Sequence, residues 1–141
     1  MSNKRIMLAT LALGTAIAFA GPAFADTMKA TLDGASEVPA NTSAGKGTAD
    51  IDYDAASKKL TWKLTYSGLT GPATAAHFHG PAEAGKNAGV AVAIPGATAS
   101  PAEGSATLTD AQAVDLMAGK YYVNVHTAAN PGGEIRGQVT K

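Results

Sequence analysis

The most constraining feature of the sequence is a strict alternation of polar and apolar side chains in residues 48–54 and again in residues 59–66. A period of two is typical of a β-strand with one face in the core, and the four residues between the stretches suit a hairpin loop. One register satisfies both faces, and it pairs Asp54 with Lys59, Asp50 with Lys63 and Ile51 with Trp62. The sequence therefore predicts an antiparallel hairpin.

Short runs of strand-forming residues, separated by turns rich in glycine, occupy the rest of the chain beyond residue 27. Further candidate strands are residues 28–34, the stretch around 77–79, and residues 90–94, 104–109, 121–127 and 134–139. Thr109 and Gln112 have the spacing of a capping box, which predicts a short helix near 110–118 that ends at Gly119. We therefore expect an all-β domain, a Greek-key β-sandwich or flattened barrel of seven or eight short strands with one short helix.

The N-terminal segment has the pattern of a secretory signal peptide. Lys4 and Arg5 precede an apolar run over residues 6–20, and Ala23 and Ala25 supply the small residues of a cleavage site. The run is shorter than the ~20 residues that span a bilayer. We expect residues 1–25 to be a signal peptide, residues 26–141 to be the domain, and the product to be periplasmic or secreted without membrane insertion.

Composition excludes several classes of function. The chain has no cysteine, which rules out disulfides, thiolate metal ligands and a cysteine nucleophile. Basic and acidic residues number eleven each, so no positive surplus attracts nucleic acid. No Gly-x-Ser-x-Gly elbow is present either. These absences favour a non-catalytic binding module over an enzyme.

The three histidines of the chain lie in two separate candidate strands. His77 and His79 alternate with the apolar Phe78. His126 lies in a strand where valines alternate with Asn124 and His126. If the apolar side chains face the core, all three imidazoles lie on the opposite face of the sheet. Neutral imidazole suits copper and zinc, and copper binds most tightly among the divalent first-row ions. The pattern predicts a three-histidine metal site, for copper first and zinc second.

Other polar residues are candidates for an outer shell of that site, namely Glu134, Asn124 and Glu83. A carboxylate or amide beside a ligand imidazole would fix its orientation. For Glu134 an alternative interpretation is an exposed cross-strand ion pair with Arg136.

A metal-free alternative also fits the sequence. In that interpretation His77 and His79 hydrogen-bond the loop of residues 80–89, and His126 caps the turn of residues 130–133. The histidine face and the loop would then bind a protein or a glycan.

Four motifs in order along the chain together resemble the CHRD domain family. They are Leu32-x-Gly34-x2-Glu37-Val38-Pro39, Ala76-His-Phe-His-Gly-Pro81, Tyr122-Val-Asn-Val-His-Thr127 and Pro131-Gly-Gly-Glu-Ile-Arg-Gly-Gln138. The resemblance implies an extracellular or periplasmic β-sandwich module. The histidine pattern, independently of the resemblance, predicts a metal ion as partner, with an exported protein as a further candidate partner.

Overall fold

The structure is a computed structural model that describes residues 24–141. The predicted signal peptide, residues 1–25, therefore lies almost wholly outside the described residues. The elements are β1 Asp26–Asp33, β2 Lys46–Asp54, β3 Lys59–Ser67, β4 Ala73–His79, β5 Val90–Ala93, β6 Ala102–Thr107, α1 Asp110–Met117, β7 Tyr122–Thr127 and β8 Ile135–Gln138. The prediction of an all-β domain with seven or eight strands and one short helix is confirmed.

The strands form one antiparallel sheet in the order β5-β4-β7-β8-β1-β2-β3-β6. The sheet curls into a nearly closed barrel, with β5 and β6 as its two edge strands. Strand β8 lies between β7 and β1. It pairs with β1 where Arg136 lies opposite Asp33. The chain thus alternates between neighbouring and distant strands, as in Greek-key folds.

The hairpin of β2 and β3 has the predicted register. Asp54 pairs with Lys59, and Ile51 pairs with Trp62. Trp62 is buried in the core and meets Phe78 of β4 edge to face, with ring centroids 5.3 Å apart. Such aromatic contacts add to the burial of apolar area that stabilises the barrel.

Helix α1 begins with the predicted capping box. The Gln112 backbone N–H donates to Oγ1 of Thr109, and the Thr109 backbone N–H donates to the Gln112 side chain. The Gln112 amide also donates to the carbonyl of Ala91, which ties the helix to edge strand β5. Leu116 is the buried residue of the helix. Within residues 24–141, no helix is long and apolar enough to cross a membrane.

Candidate metal centre

Strands β4 and β7 position the three histidines. The strands are neighbours in the sheet, and His77 pairs with Asn124 while His79 pairs with Tyr122. Phe78, between the two histidines of β4, is fully buried on the core side, as are the valines of β7. The imidazoles consequently lie on the face that points away from the core, as the alternation predicts.

The structure brings the three rings together. Ring centroids are 5.0 Å apart for His77 and His126, 5.4 Å for His77 and His79, and 6.1 Å for His79 and His126. One nitrogen from each ring lies within 4.8 Å of the others. The closest two are Nδ1 of His77 and Nε2 of His126, separated by 3.1 Å. Three imidazole nitrogens at this spacing can converge on one metal ion.

Two of the rings are held by backbone carbonyls on their far side. Nδ1 of His79 lies 3.0 Å from the carbonyl oxygen of Ala88, and Nδ1 of His126 lies 2.9 Å from that of Pro131. A carbonyl only accepts hydrogen bonds, so each of these nitrogens carries its ring proton. Nε2 of each ring therefore carries a lone pair; that of His126 faces Nδ1 of His77, and that of His79 has no partner. Metal-binding histidines are held by this same second hydrogen bond.

These contacts agree in part with the metal-free interpretation. His79 bonds the loop of residues 80–89 and His126 bonds the turn of residues 130–133, as that alternative expects, whereas His77 pairs with His126 instead of the loop. Both loops bond only Nδ1 and leave Nε2 available. Nε2 of His79 is buried and has no hydrogen-bond partner. The loop contacts and a metal site are therefore compatible.

The electrostatic environment keeps two of the imidazoles neutral. Burial lowers the pKa of His77, and the neighbouring rings of His126 and His79 lower it further. Burial also lowers the pKa of His79, where the bond to Ala88 acts in the opposite direction. Since only a neutral imidazole offers a lone pair to a metal, these shifts favour the ligand form.

Tyr122 stacks on His79 and Arg136 lies over Tyr122, an arrangement that the sequence did not predict. The ring of Tyr122 lies parallel to that of His79, with centroids 4.9 Å apart and an interplanar angle of 2°. The Arg136 guanidinium also lies over the Tyr122 ring, with Cζ 3.5 Å from the centroid. The signal was present in the alternation, because Tyr122 shares a face with Asn124 and His126.

The loop of residues 80–89 covers this face of the sheet. Arg136 donates from Nη1 to Oδ1 of Asn87, at 2.9 Å, and from Nη2 to the carbonyl of Lys86. The Asn87 amide donates to the carbonyl of Val38. His79 and Asn124 are consequently 8% and 2% exposed, although both lie on the side of the sheet away from the core.

Glu37 is a second buried group that the sequence analysis did not single out for function. Its carboxyl is 6% exposed, and Oε1 has no hydrogen-bond partner. Burial raises the pKa of Glu37 to about 7, against the opposing charge of Arg136 and a hydrogen bond from Asn124. The carboxyl therefore titrates near neutral pH, beside the covered face that carries the histidines.

Glu134 is fully buried at the turn between β7 and β8. Its carboxylate accepts hydrogen bonds from the backbone N–H and the hydroxyl of Thr70, and from the side chain of Asn130 at 3.0 Å. The interpretation of an exposed ion pair with Arg136 is wrong, because loops fold over both side chains.

The other two candidate outer-shell residues lie in different environments. The Asn124 side chain lies beside His79 and raises the pKa of that ring, against the larger effect of burial. Glu83 is exposed and lies 3.8 Å from the Lys120 ammonium. Of the two, Asn124 is the residue in contact with the histidine cluster.

The family comparison agrees with the order of motifs along the chain. The model of the CHRD domain matches residues 28–139, which contain all three histidines and every strand that carries them. CHRD domains occur in extracellular proteins. The comparisons with curated proteins and with solved structures returned no match. The chain belongs to the CHRD domain family.

Proposed function

We propose that this protein is an exported, non-catalytic binding module that holds a transition metal ion, copper first and zinc second, through His77, His79 and His126. Residues 1–25 would act as the signal peptide, and the mature domain would work in the periplasm or outside the cell. An exported protein that delivers or receives the ion would be its partner.

The observation that carries the proposal is the unpartnered Nε2 of His79. A buried polar atom without a partner is costly, and native structures seldom contain one without a functional reason. His79 is also one of three histidines that each place one ring nitrogen within 4.8 Å of the others. A metal ion would satisfy the lone pairs of all three rings at once.

Ion entry requires little rearrangement. With metal–nitrogen distances of about 2.0 Å, three ligands around one ion are roughly 3.4 Å apart. His77 and His126 are already 3.1 Å apart at their nearest nitrogens. Because Nδ1 of His126 donates to Pro131, His77 must donate its Nδ1 proton to Nε2 of His126. The ion would take the place of that proton, and His77 would carry its proton on Nε2 instead, so that the ring stays neutral.

A side chain beside the cluster would support the three histidine ligands. Of the candidate outer residues, the proposal retains Asn124, whose amide lies beside His79. Glu134 and Glu83 have other partners, Thr70 with Asn130 and Lys120 respectively.

Metal titration of the purified protein tests the proposal. Cu(I), Cu(II) and Zn(II) are titrated into chelator-treated protein and into the double variant His77→Ala/His126→Ala, with stoichiometry followed by competition with a chromogenic chelator. The matched control is Asp50→Asn/Asp52→Asn, which removes exposed carboxylates of β2 that could bind metal adventitiously. We expect one ion per chain, retained by the control and lost in the histidine variant.

Binding that is weak in all three proteins, or equal in the first and the histidine variant, would contradict the proposal. The metal-free alternative, in which the histidine face and the loop of residues 80–89 contact a protein or glycan, would then replace it. That alternative rests on the hydrogen bonds of His79 and His126 to Ala88 and Pro131.

A further inference from the structure

We propose that the three-histidine site selects a singly charged ion, Cu(I), over Zn(II) and Cu(II). This inference rests on the proposed metal-binding function and specifies the charge of its ligand. It follows from the neutral ligands of the site and from the buried positive charge of Arg136, which lies over the Tyr122 ring that stacks on His79.

The ligand set carries no charge of its own. Within residues 24–141 the cluster contains imidazoles alone, without a carboxylate. The far nitrogens of His79 and His126 face neutral carbonyls, those of Ala88 and Pro131. Carboxylates in these positions would pass negative charge to the metal through the ring. The ion therefore keeps its full charge in this site.

A permanent positive charge lies one aromatic ring away. Arg136 is 2% exposed, so water screens its positive charge poorly. The guanidinium lies over the Tyr122 ring, and that ring is stacked on His79.

The nearby carboxyl does not cancel that charge at neutral pH. Glu37 lies on the same covered face, near Arg136, but it is buried and only partly ionised close to pH 7. Glu83 is exposed and lies beside the Lys120 ammonium, whereas Glu134 is held by the neutral donors Thr70 and Asn130.

Repulsion by Arg136 scales with the charge of the ion, so it opposes a divalent ion twice as strongly as a monovalent one. The described cluster supplies three nitrogens, with which Zn(II) would need a water as its fourth ligand. The preference for Cu(I) therefore rests on charge.

The experiment compares affinities for a monovalent and a divalent d10 ion. Ag(I) serves as the redox-inert substitute for Cu(I), and the dissociation constants of Ag(I), Cu(I) and Zn(II) are measured by chelator competition under anaerobic, reducing conditions for copper. At an effective dielectric constant of about 20 and a separation of about 10 Å, one unit charge changes the affinity ratio by roughly tenfold. We expect Arg136→Gln to lower the preference for Ag(I) over Zn(II) by about that factor.

Arg136→Lys is the matched control, because it keeps the charge and should keep most of the preference. Glu37→Gln at about pH 8 provides a test of opposite sign that does not depend on replacing the buried arginine. Removing the ionised carboxyl should weaken Zn(II) binding more than Ag(I) binding. Near-ultraviolet circular dichroism establishes that each variant is folded.

The outcomes separate this inference from the proposed function. Tighter binding of Zn(II) than of Cu(I), still dependent on the histidines, would overturn the inference and leave the metal-binding proposal standing. An affinity ratio that is the same in the parent, Arg136→Gln and Glu37→Gln would overturn it as well. Loss of all histidine-dependent binding would overturn both.

Discussion

Replacing Glu37 by glutamine should change the pH dependence of stability. Burial raises the pKa of this carboxyl from 4.5 to about 7 in the folded protein. Between these two values the folded state holds a proton that the unfolded chain releases. The stabilisation from Glu37 is therefore complete below about pH 4.5, declines as the pH rises, and is lost above about pH 7.

The size of the effect follows from the displacement of the pKa. At about 1.4 kcal/mol per pH unit, the shift corresponds to about 3 kcal/mol between the acidic and the neutral limits. Glutamine does not titrate, so it removes this dependence. We expect the free energy of unfolding of Glu37→Gln, relative to the parent protein, to increase by about 3 kcal/mol between pH 4.5 and pH 8.

Urea denaturation in the presence of a metal chelator measures this difference at several pH values. His77 and His79, whose lowered pKa values make stability rise with pH through the acidic range, are present in both proteins and cancel in the comparison. Glu103→Gln on β6, with an exposed carboxyl, is the control for replacing a carboxyl by an amide. A difference between Glu37→Gln and the parent that varies by less than about 0.5 kcal/mol across the range would refute the reasoning.

The remaining predictions concern packing, ring protonation and capping. Gly104→Ala should lower the free energy of unfolding, measured by urea titration, by about 1–3 kcal/mol, because the added Cβ would lie 2.8 Å from the Trp62 ring. Gly71→Ala is the control and should leave stability unchanged, since an added Cβ there has no neighbouring atom within 4 Å. Equal effects of the two substitutions would contradict this account. In metal-free protein His79 should be the Nδ1–H tautomer with a pKa below 6.5, measured by long-range proton–nitrogen NMR, and an Nε2-bound proton would contradict the proposed site. Thr109→Ala should cost about 1 kcal/mol through loss of the helix cap, and urea denaturation showing no loss would count against it.

The hairpin, the helix cap and the faces of the histidine strands could be predicted because each depends on local periodicity. The register of β2 and β3 follows from matching two alternating patterns, and only one register satisfies both faces. The same alternation places His77, His79 and His126 on one side of the sheet. Their convergence then requires only that β4 and β7 be neighbours, which they are.

The burial of the polar face could not be predicted in this way. Whether Arg136 and Glu134 face water depends on loops that fold back from distant parts of the chain, such as Asn87 onto Arg136 and Thr70 onto Glu134. Such contacts join single residues 49 and 64 positions apart and leave no periodic signal. A charged residue on the outer face of a strand was therefore interpreted as solvated.

The orientation of His79 and His126 depends on two loops, because the carbonyls of Ala88 and Pro131 hold the two rings. Insertions or substitutions in the loops that contain Ala88 and Pro131 would therefore rotate the imidazoles of His79 and His126 without altering any strand. Loops tolerate such changes far better than a barrel wall does. Under the proposed function, a change in the preferred ion would therefore be encoded in these two connecting segments.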